Sequence, residues 1–262
     1  MTDDTILIQR AGGVATVTLN RPDRHNAFDD ALIAALTQVL RELDADDSVT
    51  VVVLAGAGKS FSAGADLNWM RRMADYGREE NLADAEALAA LMETLNGLDK
   101  PTIARVQGAA FGGGVGLVAC CDIAIAADTA SFCLSEVRLG LIPAVISPYV
   151  VTAIGERAAR RYFVTAERFD AREAHRLGLV HEVVPAAGLD ARVDALLAQL
   201  RQNGPRAMAA AKDLSRAVSR GPIGPEMIRD TARRIAEIRS SAEGREGVAA
   251  FLEKRRPRWS EG

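Results

Sequence analysis

The sequence predicts an α/β protein in which strands and amphipathic helices alternate, followed by a helical C-terminal region. Residues 49–54 (VTVVVL) are nearly all β-branched or otherwise apolar, as expected of a strand that is buried on both faces. Leucine and valine recur at helical spacing between residues 32 and 43. From about residue 188 the chain is rich in alanine and arginine and predicts helices. We therefore expect a strand-containing core, residues 1–187, and a helical region, residues 188–262.

The first hundred residues predict strands and helices in regular alternation. Apolar and polar residues alternate on both sides of Gly12-Gly13, which indicates a β-hairpin over residues 6–19. A helix is expected from about Asp29 to Leu43, because the aspartates at its start favour the positive end of the helix dipole. Residues 61–69 (FSAGADLNW) predict a small-residue loop before a polar helix, and another amphipathic helix ends near Gly97.

The middle of the chain predicts two buried strands, several short helices and an apolar loop. Residues 102–127 indicate a strand, a glycine-rich turn, a short helix and a second strand. Residues 142–148 (IPAVISP) are bounded by prolines and predict a loop that shapes a pocket. The predicted elements beyond this loop are helices at 149–155, 157–163 and 171–177 and a short strand at 180–184.

Composition and charge exclude several classes of function. The 262 residues carry a net charge of −3, so no broad basic field is available for nucleic acid or for an anionic membrane. The three cysteines lie in apolar stretches and predict buried free thiols, and no metal-ligand spacing is present. Neither a membrane-spanning run nor a signal-peptide pattern is seen, so we expect a cytoplasmic protein without a metal.

The glycine-rich stretch is the first candidate for chemistry. Gly112, Gly113 and Gly114 open a predicted helix directly after a strand, which leaves several backbone N–H groups without helical partners. Such donors suit an anionic oxygen, and an oxygen that becomes charged only during reaction would make this an oxyanion hole. A tight turn with close helix packing is the alternative interpretation. Glu136 follows the second strand and is the nearest acid along the chain.

Two other sequence patterns are not functional motifs. The residues GAGKS (56–60) lack the first glycine of a phosphate-binding P-loop, because Val53 stands in its place. A serine hydrolase is also disfavoured, since Ser62 and Ser135 lie outside a nucleophile-elbow context.

Taken together, these segments resemble the enoyl-CoA hydratase/isomerase superfamily, also called the crotonase family. The similarity runs over nearly the whole chain, and the order and spacing of its pieces make it specific. The matching stretches are VATVTLNRPDRHNAF (14–28), FSAGADL (61–67), KPTIARVQGAAFGGG (100–114), CDIAIAADTASF (121–132), SEVRLGLIP (135–143) and AREAHRLGLVHEVVP (171–185).

The resemblance implies a fold, an activity and an assembly. It implies a crotonase-type spiral of repeated strand–strand–helix turns, with a C-terminal helical region that forms trimers, often paired into hexamers. It also implies an acyl-CoA thioester substrate, so that coenzyme A enters with the substrate and no separate cofactor is expected. Basic residues at the C-terminal end (Lys254, Arg255 and Arg256) would reach a CoA phosphate or simply stabilise a helix end.

The resemblance also assigns roles to individual residues. The backbone N–H groups of Ala65 and Gly113 would hold the thioester oxygen, and Glu136 would transfer protons. The loop that would bind CoA runs from Ala63 to Asn68 and includes Asp66 and Leu67. The glycines at 112 and 116 are further substrate-binding candidates.

One departure from the family pattern affects the mechanism. Many hydratases of this family carry two glutamates, and the first of them falls at Gly116 in this chain. A single acid, Glu136, would therefore serve both proton steps, unless another group, water or the substrate helps. One acid also suits an isomerase, which moves a proton between carbons.

The substrate class and the rival functions complete these expectations. Residues 135–150 and 154–169 are most similar to bacterial 3-methylglutaconyl-CoA hydratases of leucine breakdown, or to glutaconyl-type hydratases of acyclic terpene breakdown. Their substrates carry a distal carboxylate, for which Arg138 or Arg72 are candidate partners. The alternatives are an enoyl-CoA isomerase and a non-catalytic member that binds CoA or RNA. The acidic charge balance argues against RNA.

Overall fold

The computed structural model describes residues 5–219 and 221–260. The strands are β1 (Ile6–Ala11), β2 (Val14–Leu19), β3 (Val51–Gly56), β4 (Ser60–Ala63), β5 (Thr102–Val106), β6 (Ala109–Phe111), β7 (Ile123–Ala127), β8 (Ser131–Cys133), β9 (Phe169–Asp170) and β10 (Glu182–Val184). The helices are α1 (Asp30–Ala45), α2 (Leu67–Met73), α3 (Arg78–Gly97), α4 (Gly113–Cys120), α5 (Ser147–Thr165), α6 (Ala171–Leu177), α7 (Leu189–Leu200), α8 (Pro205–Ser219), α9 (Pro225–Ser240) and α10 (Ala242–Leu252).

The strands form two sheets, and successive turns of the chain add one strand to each of them. One sheet has the order β1-β2-β3-β5-β7-β10, and the other has the order β4-β6-β8-β9. The strand pairs β3/β4, β5/β6 and β7/β8 each contribute one strand to each sheet, and a helix follows each pair. This repetition is the predicted spiral of strand–strand–helix turns, so the expected fold class is confirmed.

The core lies on both faces of the six-stranded sheet. On one face, Val52 and Leu54 of β3 join the apolar stripe of α1. On the other face, Val51 and Val53 join Leu189, Val193 and Leu197 of α7. Alternate residues of β3 therefore enter two different clusters, which explains why its sequence is a continuous apolar run.

One predicted loop differs from the structure, whereas a predicted helix break is confirmed. Residues 61–63 of the predicted small-residue loop belong to strand β4, because this strand pairs with β6 in the second sheet. The two helices expected at 149–155 and 157–163 are the two halves of α5, and the predicted break between them is confirmed at Gly155, whose φ of +76° and ψ of 155° are not helical. After this break the helix resumes and packs Ala159 and Tyr162 into the core.

The C-terminal helices leave apolar side chains at the surface. The helix α7 is held by the sheet, whereas α9 and α10 expose Ile228, Ile235, Phe251 and Leu252. The predicted helical C-terminal region is thus present, and the division at residue 188 stays a prediction. Within the described ranges, no helix combines the length and the apolar content needed to cross a membrane.

Candidate active site

The candidate site lies where the parallel strands β4 and β6 end side by side. Ala63 of β4 is the register partner of Phe111 of β6. Directly after Phe111, the chain leaves the sheet at Gly112, whose φ of +52° and ψ of −120° turn it into helix α4. Such a conformation is available to glycine and strained for other residues. The predicted turn at this glycine therefore ends β6 just where β4 continues towards Ala65.

The segment around Ala65 is held by Phe28 in a way that fixes the direction of the Ala65 amide. The N–H of Phe28 donates to the Gly64 oxygen at 2.9 Å, and the N–H of Asp66 donates to the Phe28 oxygen at 2.7 Å. In a parallel pairing of this kind, the intervening residue directs its own N–H to the opposite side. The amide of Ala65 thus faces away from Phe28, on the side where β6 has already turned away.

The amide of Gly113 is free because it belongs to the first residue of α4. The first N–H groups of a helix have no intrahelical acceptor and carry the positive end of the helix dipole. In the described part of the chain, neither the Gly113 nor the Ala65 N–H donates to any protein acceptor. The two segments are close, since a Cβ placed on Gly112 would lie 3.9 Å from the Gly64 Cα. Two unpaired donors therefore stand on neighbouring segments.

Glu136 lies next to the same turn. The N–H of Gly112 donates to the oxygen of Cys133 at 2.9 Å, which brings β8 and the following 3₁₀ turn, Glu136–Leu139, against the glycines. A Cβ on Gly112 would lie 3.2 Å from Oε1 of Glu136. Its other carboxylate oxygen, Oε2, is buried and has no hydrogen-bond partner within residues 5–219 and 221–260. An unpaired, buried carboxylate oxygen beside two unpaired amides is chemically suited to proton transfer.

The environment of Glu136 also changes its proton affinity. Burial disfavours the charged carboxylate and raises the pKa of Glu136 above its usual 4.5, although a hydrogen bond from the backbone partly opposes this effect. A carboxylate with a raised pKa is a better base than an exposed glutamate, and it can return the proton more readily near neutral pH.

This raised pKa predicts the pH dependence of the reaction. If ionised Glu136 takes a proton from water, kcat/KM of the free enzyme should fall on the acid side around a pKa above 4.5. Steady-state kinetics over a pH series would show this limb, and thermal unfolding at each pH would separate it from acid denaturation. A limb at or below the usual glutamate value would contradict the assignment.

Asp66 bonds to neighbouring groups of the protein through its carboxylate. Its carboxylate is buried and contacts Arg21 at 2.9 Å and Arg24 at 2.8 Å, and it caps α2 by accepting the N–H groups of Asn68 and Trp69. Burial opposes ionisation, but these hydrogen bonds and the charge of Arg21 lower the pKa of Asp66 to about 2. The side chain therefore holds the Ala65 loop in place, and the sequence analysis missed this positioning role.

A cavity of about 410 Å³ lies beside this loop. Its lining includes four of the predicted substrate-binding residues, namely Ala63, Asp66, Leu67 and Asn68. Arg24 and Arg71 also line it, Arg24 as the partner of Asp66 and Arg71 as a donor to Asn68. Gly112 lies instead beside Glu136, in the wall near the two amides.

The space beside Gly116 is filled by the side chain of Ile146. Gly116 is buried in α4, and a Cβ at this position would overlap Cγ2 of Ile146 and approach Cε of Met92 at 3.2 Å. Ile146 comes from the apolar loop at 142–148, the stretch that departs from the usual family sequence. The space next to Gly116 is therefore filled by a methyl group where a larger side chain would otherwise stand.

Three of the other predicted cations already have protein partners. Arg138 donates to the Ala166 oxygen at 2.6 Å, and Arg72 pairs with Asp30 at 2.6 Å. Arg255 in the C-terminal segment pairs with Glu246 at 2.6 Å. No sequence signal distinguished these paired arginines from free ones, because their partners are distant along the chain or belong to the backbone.

The comparisons with known proteins show which family the chain resembles. A model of the family described as Enoyl-CoA hydratase/isomerase matches residues 9–262. A solved enoyl-CoA hydratase from Shewanella pealeana is 51% identical, with a TM-score of 0.95 over 97% of this chain and 96% of that chain. AtuE from Pseudomonas aeruginosa is 42% identical, with a TM-score of 0.94 over 98% of this chain and 99% of that chain. The enoyl-CoA hydratase ACTT6 of Alternaria alternata is 37% identical over 94% of this chain and 80% of its own length.

These similarities extend over almost the full chain and include the strand ends that carry the two amides. They confirm the predicted family and the predicted enzyme class, enoyl-CoA hydratase. The chain therefore belongs to the enoyl-CoA hydratase/isomerase family.

Proposed function

We propose that this enzyme adds water across the 2,3 double bond of a CoA thioester whose acyl group carries a second carboxylate, as in 3-methylglutaconyl-CoA. The observation that supports hydration best is the arrangement of two unpaired amides, Ala65 and Gly113, beside the unpaired Oε2 of Glu136. This arrangement offers donors for a developing enolate oxygen and a base for water in one place.

The proposed reaction has two proton transfers. Glu136 takes a proton from water while the water oxygen forms a bond to C3, and the electron pair of the double bond moves towards the thioester carbonyl. The N–H groups of Ala65 and Gly113 stabilise the resulting enolate oxygen. The protonated Glu136 then delivers its proton to C2 as the enolate collapses, so that one water has been added.

A single carboxyl group would carry out both transfers. Gly116 has no side chain, and Ile146 fills the space beside it, so no second acid stands at that position. This arrangement requires the proton taken from water and the proton given to C2 to pass through the same carboxylate. The hydroxyl group at C3 and the hydrogen at C2 would then be added to the same face of the double bond.

The CoA part is proposed to lie along Ala63 to Asn68. The cavity there is lined by Arg24 and Arg71, which suit the phosphates of CoA. No separate cofactor is proposed. A homotrimer, or a hexamer made of two trimers, would bury the apolar side chains that α9 and α10 expose, such as Ile235 and Phe251.

The distal carboxylate is proposed from the resemblance of residues 135–150 and 154–169 to 3-methylglutaconyl-CoA and glutaconyl-type hydratases. The corresponding proposed pathway is leucine breakdown, or the breakdown of acyclic terpenes. Arg138 follows Glu136 in the 3₁₀ turn and uses one guanidinium nitrogen, Nη2, for the Ala166 oxygen. Its other guanidinium N–H groups are the proposed contact for the substrate carboxylate.

A kinetic comparison tests both parts of this function. We expect 3-methylglutaconyl-CoA to give a kcat/KM at least about 10-fold above that of crotonyl-CoA, because a charged contact contributes a factor of this size. Hydration is followed as loss of the conjugated enoyl absorbance, and the matched control is the same pair of substrates with Arg138→Met. Equal kcat/KM values for the two substrates would contradict the carboxylate proposal and leave hydration standing.

The second candidate function is enoyl-CoA isomerisation, which the single acid favours. An isomerase would produce conjugated absorbance from a 3-enoyl-CoA, whereas a hydratase would consume it from a 2-enoyl-CoA. Formation of a conjugated product without any hydroxyacyl-CoA would replace hydration by isomerisation.

A further inference from the structure

We propose that Phe28 is a positioning residue that sets the spacing of the two amide donors, and this inference rests on the proposed oxyanion role of Ala65 and Gly113. Phe28 is buried and lies in neither of the two segments that carry the donors. It contacts both segments, one through its backbone and the other through its ring.

The backbone of Phe28 fixes the Ala65 donor. Its N–H and its oxygen bond the two residues that flank Ala65, Gly64 at 2.9 Å and Asp66 at 2.7 Å. Both peptide planes next to Ala65 are thereby held, and the Ala65 amide cannot rotate without breaking one of these bonds. The direction of this donor is therefore set by Phe28.

The ring of Phe28 supports the Gly113 donor. A Cβ built on Gly113 would lie 2.7 Å from Cε2 and 3.0 Å from Cδ2 of the ring. The ring edge thus lies against the first residue of α4 and leaves room only for glycine. Any change in the ring would let the start of α4 move relative to β4.

The backbone of the segment that carries Phe28 is itself rigidly held. The N–H of Ala63 donates to the His25 oxygen at 3.0 Å, and Oγ of Ser62 donates to the Asn26 oxygen at 2.8 Å. Nη1 of Arg21 donates to the Ala27 oxygen at 2.9 Å. These bonds fix the backbone before Phe28, so the distance between the two donors depends on the length and shape of one side chain.

A purely structural role is the alternative, because Phe28 also belongs to the main apolar cluster. Loss of packing would lower thermal stability and would leave the polarisation of a bound thioester unchanged in the molecules that remain folded. A positioning role changes the hydrogen bonds to the thioester carbonyl. The carbonyl stretching frequency of a bound enoyl-CoA reports those bonds directly.

The test compares Phe28→Leu with Phe169→Leu, since Phe169 is similarly buried but packs against Phe132 and Tyr162 instead of the glycines. With crotonyl-CoA we expect Phe28→Leu to lower kcat by about 10–100-fold and to change KM by less than about 3-fold. The carbonyl of crotonyl-CoA bound to this variant should shift less from its solution frequency than in the wild type. Phe169→Leu should retain the wild-type shift. A wild-type kcat and carbonyl shift in Phe28→Leu would overturn the inference.

A second variant keeps the inference testable if Phe28→Leu does not fold. Gly113→Ala retains Phe28 and presses a methyl group against its ring, so we expect the same loss of carbonyl shift. Gly97→Ala is the control, because nothing lies within 4 Å of the added methyl group at that helix end. An unchanged carbonyl shift in Gly113→Ala would overturn the inference. A wild-type enzyme that neither shifts the carbonyl nor turns over any enoyl-CoA would overturn the proposed function, and this inference with it.

Discussion

Glu136→Gln is expected to lower kcat by about 10²–10⁴-fold while the affinity for the CoA thioester stays nearly the same. Glutamine keeps the size of the side chain and its place beside Gly112, but it can neither accept the proton of water nor return a proton to C2. The loss should lie at the upper end of this range, because one carboxyl group serves both transfers in the proposed mechanism. Single-turnover kinetics with crotonyl-CoA would measure the chemical step directly.

A control variant and a stability measurement test whether the loss of kcat comes from the missing carboxylate. Glu156→Gln is a matched control, since the Glu156 side chain is about 80% exposed and forms no more than a long surface ion pair with Arg160, at 3.9 Å. It should retain the wild-type kcat. Glu136→Gln should also be at least as stable as the wild type, because burial no longer acts on a charge. Retention of kcat within a few-fold would remove Glu136 from the mechanism.

Gly112→Ala is expected to lower kcat by about 10²–10³-fold, the loss that follows removal of one oxyanion donor. The backbone at Gly112 has a φ of +52°, which alanine adopts only under strain. The added methyl group would also lie 3.2 Å from Oε1 of Glu136. Both effects would move the start of α4, and with it the Gly113 amide, away from Ala65. Kinetics and the carbonyl frequency of bound crotonyl-CoA would both register the change.

Gly155→Ala is a control that strains the backbone at a positive φ without changing the candidate site. Gly155 also has a positive φ, +76°, but no atom lies within 4 Å of an added methyl group. We expect this control to lose stability and to retain kcat per folded molecule. If Gly112→Ala and Gly155→Ala lower stability equally and neither lowers kcat, the turn at Gly112 has no part in catalysis.

Much of the secondary structure could be predicted from short stretches of sequence. The hairpin over residues 6–19, the stripe of α1 and the buried strand β3 all have patterns whose period matches their burial. The glycines after β6 were also recognisable, because several glycines between a strand and a helix are unusual. Strand β4 was missed, since pairing with β6 outweighs the local preference for a loop, whereas the break within α5 at Gly155 was predicted correctly.

The candidate site was predicted in part. Glu136, Ala65 and Gly113 were placed by resemblance to a family, and the structure brings their segments together at the ends of β4 and β6. The roles of Asp66 and Phe28 could not be predicted. Asp66 contacts Arg21 and Arg24, about forty residues earlier in the chain, and the ring of Phe28 contacts Gly113, much later in the chain. No local pattern records such contacts.

The local sequence determined most of the helices and strands of this protein, because periodicity, glycine placement and capping act over a few residues. The relative positions of Ala65, Gly113 and Glu136 arise differently, since separate turns of the chain must stack before the segments that carry these three residues become neighbours. The filling of the Gly116 position by Ile146 is likewise a result of packing between α4 and a distant loop. Short-range preferences determine which elements form, whereas long-range packing determines which polar groups remain free to act on a substrate.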